Sequence, residues 1–285
     1  MLLVVGGTGY TGGYLVESLL QTGESVRCLV RSSSQTASLE SLGVELVTGD
    51  LEEPDGLADA FDGVNALISA AHIKYASALI RESKKRDLKR AVFMSSTWRL
   101  SEFVTPEVES VIAGEEAVLA SGLDATLLRS SMIYGPGDDR NISRLRSYLK
   151  SRRVLPIFGS GEGLVQPVYV KDVVSAITAV IGRSGTIDKT YQLAGAKAMS
   201  YSEMIDTLCR KIGRSVLKVY IPFFAAIPLV QVYGMISKHA KVDVDQVRRM
   251  REDRAFDISE AIADFAFQPS TFEEGLAESM RLNGE

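Results

Sequence analysis

The sequence predicts an α/β protein built on a doubly wound parallel sheet, and two observations carry that expectation. Short apolar runs rich in valine, isoleucine and leucine alternate with longer amphipathic stretches, the pattern of strands buried on both faces by crossover helices. The first apolar run leads straight into a glycine-rich loop, Gly6-Gly7-Thr8-Gly9-Tyr10-Thr11-Gly12, which opens an amphipathic stretch.

In chain order, strands are expected at residues 2–5, 26–30, 44–47, 66–69, 91–95 and 125–128. Helices are expected between them at 11–21, 54–61, 75–85 and 107–120, the last closed by Gly122, a residue favoured just past a helix C-terminus. Strict alternation of this kind defines a Rossmann sheet. After Gly135-Pro136-Gly137 the rhythm loosens into segments separated by Gly159-Ser160-Gly161-Glu162-Gly163 and by Gly182 and Gly185. The expected division is a dinucleotide-binding Rossmann domain over 1–140, with 164–195 returning to it, and a smaller, discontinuous C-terminal lobe for substrate or partner made of 141–163 and 196–285.

Composition narrows the function classes. The 285 residues are 46% hydrophobic and 24% charged, with a formal net charge of -4, ordinary for a globular protein and without a broad basic field to attract nucleic acid. Cys28 and Cys209 stand far apart, and only His72 and His239 accompany them. A closed structural zinc site needs four such ligands close together, so no metal is expected. The chain opens directly on the strand-like Met1-Leu2-Leu3-Val4-Val5 without a secretory signal pattern, and the expected compartment is the cytoplasm.

A strand, a glycine loop and a helix N-terminus together make a pyrophosphate cradle: the glycines allow a tight turn and close backbone approach, and the helix presents unpaired N–H groups. A nicotinamide cofactor is therefore expected on Gly6, Gly7, Thr8, Gly9, Tyr10, Thr11 and Gly12. NAD-preferring units place an acid at the end of the second strand for the ribose 2′-hydroxyl. Here Arg31 holds that place, and the run Arg31-Ser32-Ser33-Ser34 offers a guanidinium fork and hydroxyl donors that suit a 2′-phosphate. NADP(H) is expected to be favoured over NAD(H).

Beyond the loop, several segments resemble the extended and atypical branches of the short-chain dehydrogenase/reductase superfamily over nearly the whole chain. They are Val47-Thr48-Gly49-Asp50-Leu51, Ser69-Ala70-Ala71-His72, Phe93-Met94-Ser95-Ser96-Thr97, Arg129-Ser130-Ser131-Met132-Ile133-Tyr134-Gly135-Pro136-Gly137-Asp138, Gln166-Pro167-Val168-Tyr169-Val170-Lys171-Asp172-Val173, and the closing stretch from Phe267-Gln268-Pro269 to Glu274-Gly275-Leu276. The fifth is most similar to the atypical branch that includes the nucleotide-binding accessory subunit of respiratory complex I. The resemblance implies that Asp50 and Leu51 contact adenine and that Ala70, Ala71 and His72 run beside the cofactor ribose. It also implies that Ser95 and Tyr134 line the cofactor and that Thr97 stands where the catalytic hydroxyl stands. Ser130 departs from the family's proline.

The larger departure concerns chemistry. Active members carry a tyrosine as general acid/base and, four residues on, a lysine that lowers its pKa, both on one face of the helix after the fifth strand. None of the ten tyrosines here has a lysine four residues later; Tyr148 is followed by Arg152, in the wrong element. Anchoring on Glu115 and Ser121-Gly122-Leu123-Asp124 puts Glu107 in the tyrosine place and Val111 in the lysine place, which isoflavone-reductase-like relatives also fill with lysine. Substitute acids near the C-terminal strand ends are His72, Lys74, Tyr75, Glu102 and Tyr134, though each reads first as lining, loop or packing residue. The arginine with which nucleotide-sugar epimerases clamp a diphosphate is matched by Val165.

Finally, eighteen residues opening at Val219 and closing at Ile236 carry no formal charge, interrupted by Pro222, Pro228, Gln231 and Gly234. A buried helix lining an apolar pocket or an interface is expected, with peripheral membrane or protein contact, aided by Lys238, His239 and Lys241, as the alternative. Three function classes follow: a cofactor-dependent sensor, assembly factor or accessory subunit with weak or no turnover; an NADP-dependent reductase or sugar-nucleotide epimerase-like enzyme using another proton donor; and a membrane-peripheral scaffold.

Overall fold

The computed structural model describes residues 1–236 and 244–284. The chain runs β1 (Leu2–Val5), α1 (Tyr10–Gln21), β2 (Val26–Val30), α2 (Ala37–Ser41), β3 (Glu45–Thr48), β4 (Ala66–Ser69), α3 (Ala76–Lys85), β5 (Arg90–Ser96), α4 (Pro106–Leu119), β6 (Asp124–Ser130) and β7 (Ile133–Tyr134). It continues through α5 (Ile142–Ser151), β8 (Val154–Phe158), β9 (Leu164–Val165), β10 (Val168–Tyr169), α6 (Val170–Ile181), β11 (Lys189–Leu193), β12 (Met199–Ser200) and α7 (Tyr201–Lys211). β13 (Leu217–Ile221), α8 (Phe223–Ile236), α9 (Val244–Arg249), α10 (Ser259–Phe265) and α11 (Phe272–Leu282) complete it.

Seven strands form one parallel sheet in the order β11-β6-β5-β4-β1-β2-β3. Successive side chains of a strand point to opposite faces, and β1 shows the result. Leu2 and Val4 join the core under α1 and α6, while Leu3 and Val5 join the core under α3 and α4. Both faces are buried, which is why the strands read as unbroken apolar runs. Sequential strands run outward from β1 in one direction and from β4 in the other, so the order reverses between β1 and β4. Ligands of open α/β sheets bind at such a switch point, beyond the carboxyl ends of the strands.

A third core, around Tyr134, Ile157, Tyr169, Met204, Leu208 and Phe272, lies between α5, α7, α11 and the short strands. α10 and the residues after it lend Ala261, Phe265 and Phe267 to the main-sheet core.

Two expected elements differ from what forms. Residues 54–61 make two short 3₁₀ turns, Pro54–Gly56 and Ala58–Phe61, rather than one helix. Leu57, Ala60 and Phe61 are buried as helical spacing demands, but Pro54 and Gly56 leave too few good helix formers to propagate an α-helix. The apolar segment 219–236 supplies the end of β13 and all of α8. Ala226 and Val230 are buried against Val247, whereas Phe224 is 82% and Leu229 54% exposed. The expected buried helix is therefore corrected to a helix with one packed face, because a four-residue repeat buries a single stripe and leaves apolar residues at other angles outside. Among the described residues, no helix is long and apolar enough to cross a membrane. Lys238, His239 and Lys241 lie outside the described residues.

Candidate functional site

At the switch point the glycine loop is held by contacts that only glycine permits. Gly6 has φ +87°, and a Cβ there would stand 2.7 Å from the Ala71 nitrogen and 2.9 Å from the Ala70 carbonyl carbon, so the loop lies directly against the exit of β4. A Cβ on Gly12 would strike the Gly6 carbonyl oxygen and come 2.9 Å from Gly7 Cα. That glycine lets α1 pack against the loop. The N-cap of α1 is Gly9, with no side chain to cap the first N–H groups, which leaves these donors and the positive end of the helix dipole directed at the loop.

A cavity of about 280 Å³ opens beside the loop, lined by Gly6, Thr8, Gly9, Arg31, Asp50, Leu51, Ala70 and Ala71, together with Val5, Leu29, Val30, Ser34, Gly49 and Tyr75. Eight residues singled out in the sequence thus meet in one place, from the exits of β1, β2, β3 and β4. Ser34, the last hydroxyl of the run that opens at Arg31, lines it as expected, and Tyr75, which the sequence did not assign to the cofactor, lines it too. The signal for Ser34 was its place three residues after Arg31: the Arg31 N–H donates to Ser34 Oγ at 3.2 Å and the Ser34 N–H to the Arg31 carbonyl at 2.9 Å. Tyr75 donates to Glu52 Oε1 at 2.9 Å, and the Lys74 ammonium sits 4.5 Å from its ring centre. Asp50 Oδ1 accepts the Glu52 N–H at 3.0 Å, fixing the turn after β3.

Other singled-out residues stand elsewhere. Gly7 faces Cys28, and Gly12 faces the loop backbone. Tyr10 begins α1 but turns its hydroxyl to the Pro136 carbonyl at 3.0 Å, beside the Tyr14 hydroxyl bonded to the same oxygen at 3.1 Å. Burial raises its pKa. Thr11 lies in the first turn of α1, and Ser32 is exposed in the turn after β2; neither lines the cavity. His72 Nδ1 accepts the Lys74 N–H at 3.2 Å; partial desolvation of the ring and the neighbouring Lys74 lower its pKa. Ser95 donates to Glu115 Oε1 at 2.6 Å. Tyr134 is 1% exposed inside the third core, donating to the Phe272 carbonyl at 3.3 Å. The structure thus places Tyr134 in packing rather than at the cavity, because its ring is surrounded by Tyr169, Phe272 and Gly275.

At the end of β5, Thr97 lines a second cavity of about 510 Å³. Its hydroxyl makes no hydrogen bond among the described residues. Beneath it the buried Glu115 carboxylate takes Arg129 at 2.6 Å, Ser95, and Arg99 at 3.6 Å, pinning α4 to β5 and β6. On α4, Glu107 is exposed and accepts the Thr105 hydroxyl at 2.9 Å, while Val111 is 2% exposed within the core under α3 and α4. Glu107 carries a carboxylate whose pKa is held down first by a backbone hydrogen bond and then by that from Thr105. Neither position offers a phenol or an ammonium.

A family described as NAD(P)H-binding matches residues 6–147, and the 3-beta hydroxysteroid dehydrogenase/isomerase family matches residues 107–197. A photosystem II assembly factor, Ycf39 of Trieres chinensis, is 28% identical over 250 residues, covering 82% of this chain and 76% of its own. Subunit 9 of the mitochondrial NADH dehydrogenase [ubiquinone] 1 alpha subcomplex of Arabidopsis thaliana is 26% identical, covering 77% of this chain and 60% of its own. The UDP-glucose 4-epimerase of Thermotoga maritima superposes with TM-score 0.79 at 19% identity, over 100% of this chain and 99% of its own, a likeness of fold.

Proposed function

We propose, since the chain belongs to the extended and atypical branch of the short-chain dehydrogenase/reductase superfamily, that it holds NADP(H) and serves as a cofactor-dependent accessory or assembly protein with weak or no turnover. One observation carries this reading: the nucleotide cradle is complete at Gly6, Gly9 and Gly12, while the helix beside Thr97 presents Glu107 outward and buries Val111. A valine in the core can neither carry charge nor relay a proton. The names of two relatives, an assembly factor and a respiratory-complex subunit, support the same direction.

The cavity fits the group it would hold. Gly6 and Gly12 let the loop lie tight against the exit of β4 and against its own backbone, where a Cβ would collide, the α1 N-terminus offers donors to a pyrophosphate, and Asp50 and Leu51 line the cavity where an adenosine would lie. Arg31, exposed at the mouth with no acid at the end of β2, supports preference for a 2′-phosphate. Bound there, the cofactor would supply hydride; the chain itself supplies orientation and exclusion of water.

The second reading, a reductase with an unusual proton donor, is favoured by the unengaged Thr97 hydroxyl, which could donate to a carbonyl. NADPH fluorescence in the presence of a panel of aldehydes, ketones and quinones separates the two. A signal that persists through hours at micromolar protein supports the accessory reading. Decay that requires the protein and disappears in Thr97→Val makes the chain a reductase.

A further inference from the structure

Outside the main sheet, β8 and β13 pair in parallel, with Leu217 beside Val154, Val219 beside Pro156 and Ile221 beside Phe158. Alternation sends these six to one face and Leu155, Ile157, Lys218 and Tyr220 to the other. The second face is occupied. Leu155 and Ile157 join the third core, Lys218 pairs with Asp206 of α7 at 2.8 Å, and Tyr220 meets the Ser202 hydroxyl at 3.3 Å. The first face is covered at one end, where Ala226 and Val230 of α8 join Phe158 and Ile221 in a small cluster. At the other end Leu217 is 65%, Val154 46% and Val219 40% exposed, and α8 adds Phe224 at 82%. Large apolar side chains gathered in this way mark an interaction surface.

Charge is segregated to the same place. Residues 140–161 and 207–242, which contain the two strands, carry twelve lysines and arginines and no aspartate or glutamate, whereas the rest of the chain holds twenty against thirty-six acids. Lys238 and Lys241 of the second stretch lie outside the described residues. Acids of neighbouring elements engage some of these cations: Asp138 lies by Arg140 and Arg144, Asp206 takes Lys218, and Glu273 takes Lys211. On α9, which packs against α8, Asp245 is held by Arg248 at 3.2 Å. Glu162 follows β8 at the end opposite the arginines. Arg152, Arg153 and Arg214 are exposed and, among the described residues, have no carboxylate at ion-pair distance. Arg152 and Arg153 lead directly into Val154, Arg214 stands three residues before Leu217, and the Leu217 N–H donates to the Arg153 carbonyl at 2.8 Å. Three unpaired guanidinium groups thus border the open end of the apolar face.

We propose that the exposed face of β8 and β13, with Phe224 of α8, is a docking surface for an anionic lipid bilayer. Its apolar side chains enter the acyl boundary while the arginines meet headgroup phosphates, the two contributions that set the strength of interfacial binding. A nucleic acid would answer the cations and leave Leu217 and Phe224 against water. A second copy of this chain would cover the apolar face and bring a further excess of cations to it. The surface lies outside the dinucleotide cavity, and the inference does not rest on cofactor binding.

The test is co-sedimentation of the full chain, without cofactor, with vesicles of phosphatidylcholine alone and of phosphatidylcholine mixed equally with phosphatidylglycerol. Expected is sedimentation with the anionic vesicles only, weakened at high salt, where attraction to the headgroups is screened. The double variant Arg152→Gln with Arg153→Gln should bind about tenfold more weakly, and Phe224→Ser about tenfold more weakly. All three positions are exposed, so the variants should keep the unfolding temperature of the parent. Failure to sediment, equal sedimentation with both kinds of vesicle, or unchanged affinity in the arginine double variant would overturn the proposal. Retention of duplex DNA but not of vesicles would overturn it too, assigning the cations to a nucleic acid.

Discussion

At the scale of single residues, the glycine loop makes the sharpest demands. A methyl group on Gly12 meets the Gly6 carbonyl and Gly7 Cα at once, with backbone on both sides and nothing that can swing away. Gly12→Ala is expected to cost about 1–3 kcal/mol of stability, as overpacking does, and to abolish measurable NADP(H) binding, both accessible by thermal unfolding and calorimetry. Arg31 acts only on affinity. It is exposed beside the cavity, and losing a charge-assisted contact worth about 1.5–3 kcal/mol would weaken NADP(H) roughly ten- to a hundredfold in Arg31→Ala. NAD(H) affinity should hardly move; an equal loss for both cofactors would remove the 2′-phosphate from the explanation. Val111→Lys would push an ammonium into the core under α3 and α4, so restoring the lysine alone is expected to lower the unfolding temperature rather than to create activity.

At the scale of elements, buried ion pairs tie helices to the sheet. Glu115 is 1% exposed and fastens α4 to β6 through Arg129. Glu115→Ala leaves that guanidinium unpaired and is expected to cost about 3–5 kcal/mol, read as a shift in the urea midpoint. On α3, Glu82 has a side chain only 3% exposed and is contacted by Lys85 at 2.8 Å and Arg86 at 3.0 Å. The Lys85 hydrogen bond foremost holds its carboxyl below the usual value of 4.5. Its contribution is therefore complete above that value and lost as pH falls through the lowered one. Stability should fall less steeply on acidification from pH 4.5 in Glu82→Gln than in the parent; identical slopes would show that other carboxylates dominate.

The same elements show what could be read from sequence. β1, β2 and β4 match their expected bounds residue for residue, because strands buried on both faces stand out as pure apolar runs between glycine and polar turns. β11 escaped notice: an edge strand reading Lys-Thr-Tyr-Gln-Leu has only one strongly packed side. Among the cavity-lining residues, the loop glycines and Arg31 were legible from the strand, the loop and its spacing, whereas Asp50, Leu51, Ala70 and Ala71 came with the family resemblance. Tyr134 and Tyr10 were less so, since spacing places a residue on an element without saying whether its ring turns to a cleft or to the core. Arg249, Arg251 and Arg254, which line the cavity at Thr97, were invisible, being brought there by a return of the chain that no local pattern records.

At the scale of the whole molecule, the sheet delivers the glycine-loop cavity and a second cavity beside Thr97 to the same edge. The topology explains the coexistence: loops after β1, β2, β3 and β4 make the cradle, and the loop after β5 meets residues 249–256 to make the cleft. We propose that the first cavity holds NADP(H) while α4, with Glu107 outward and Val111 in the core, supplies no proton relay. Calorimetric titration of the parent chain with NADPH and with NADH tests this most directly. Expected is one site per chain, with NADPH bound roughly ten- to a hundredfold more tightly; no heat from either cofactor, or equal affinity for both, would contradict it.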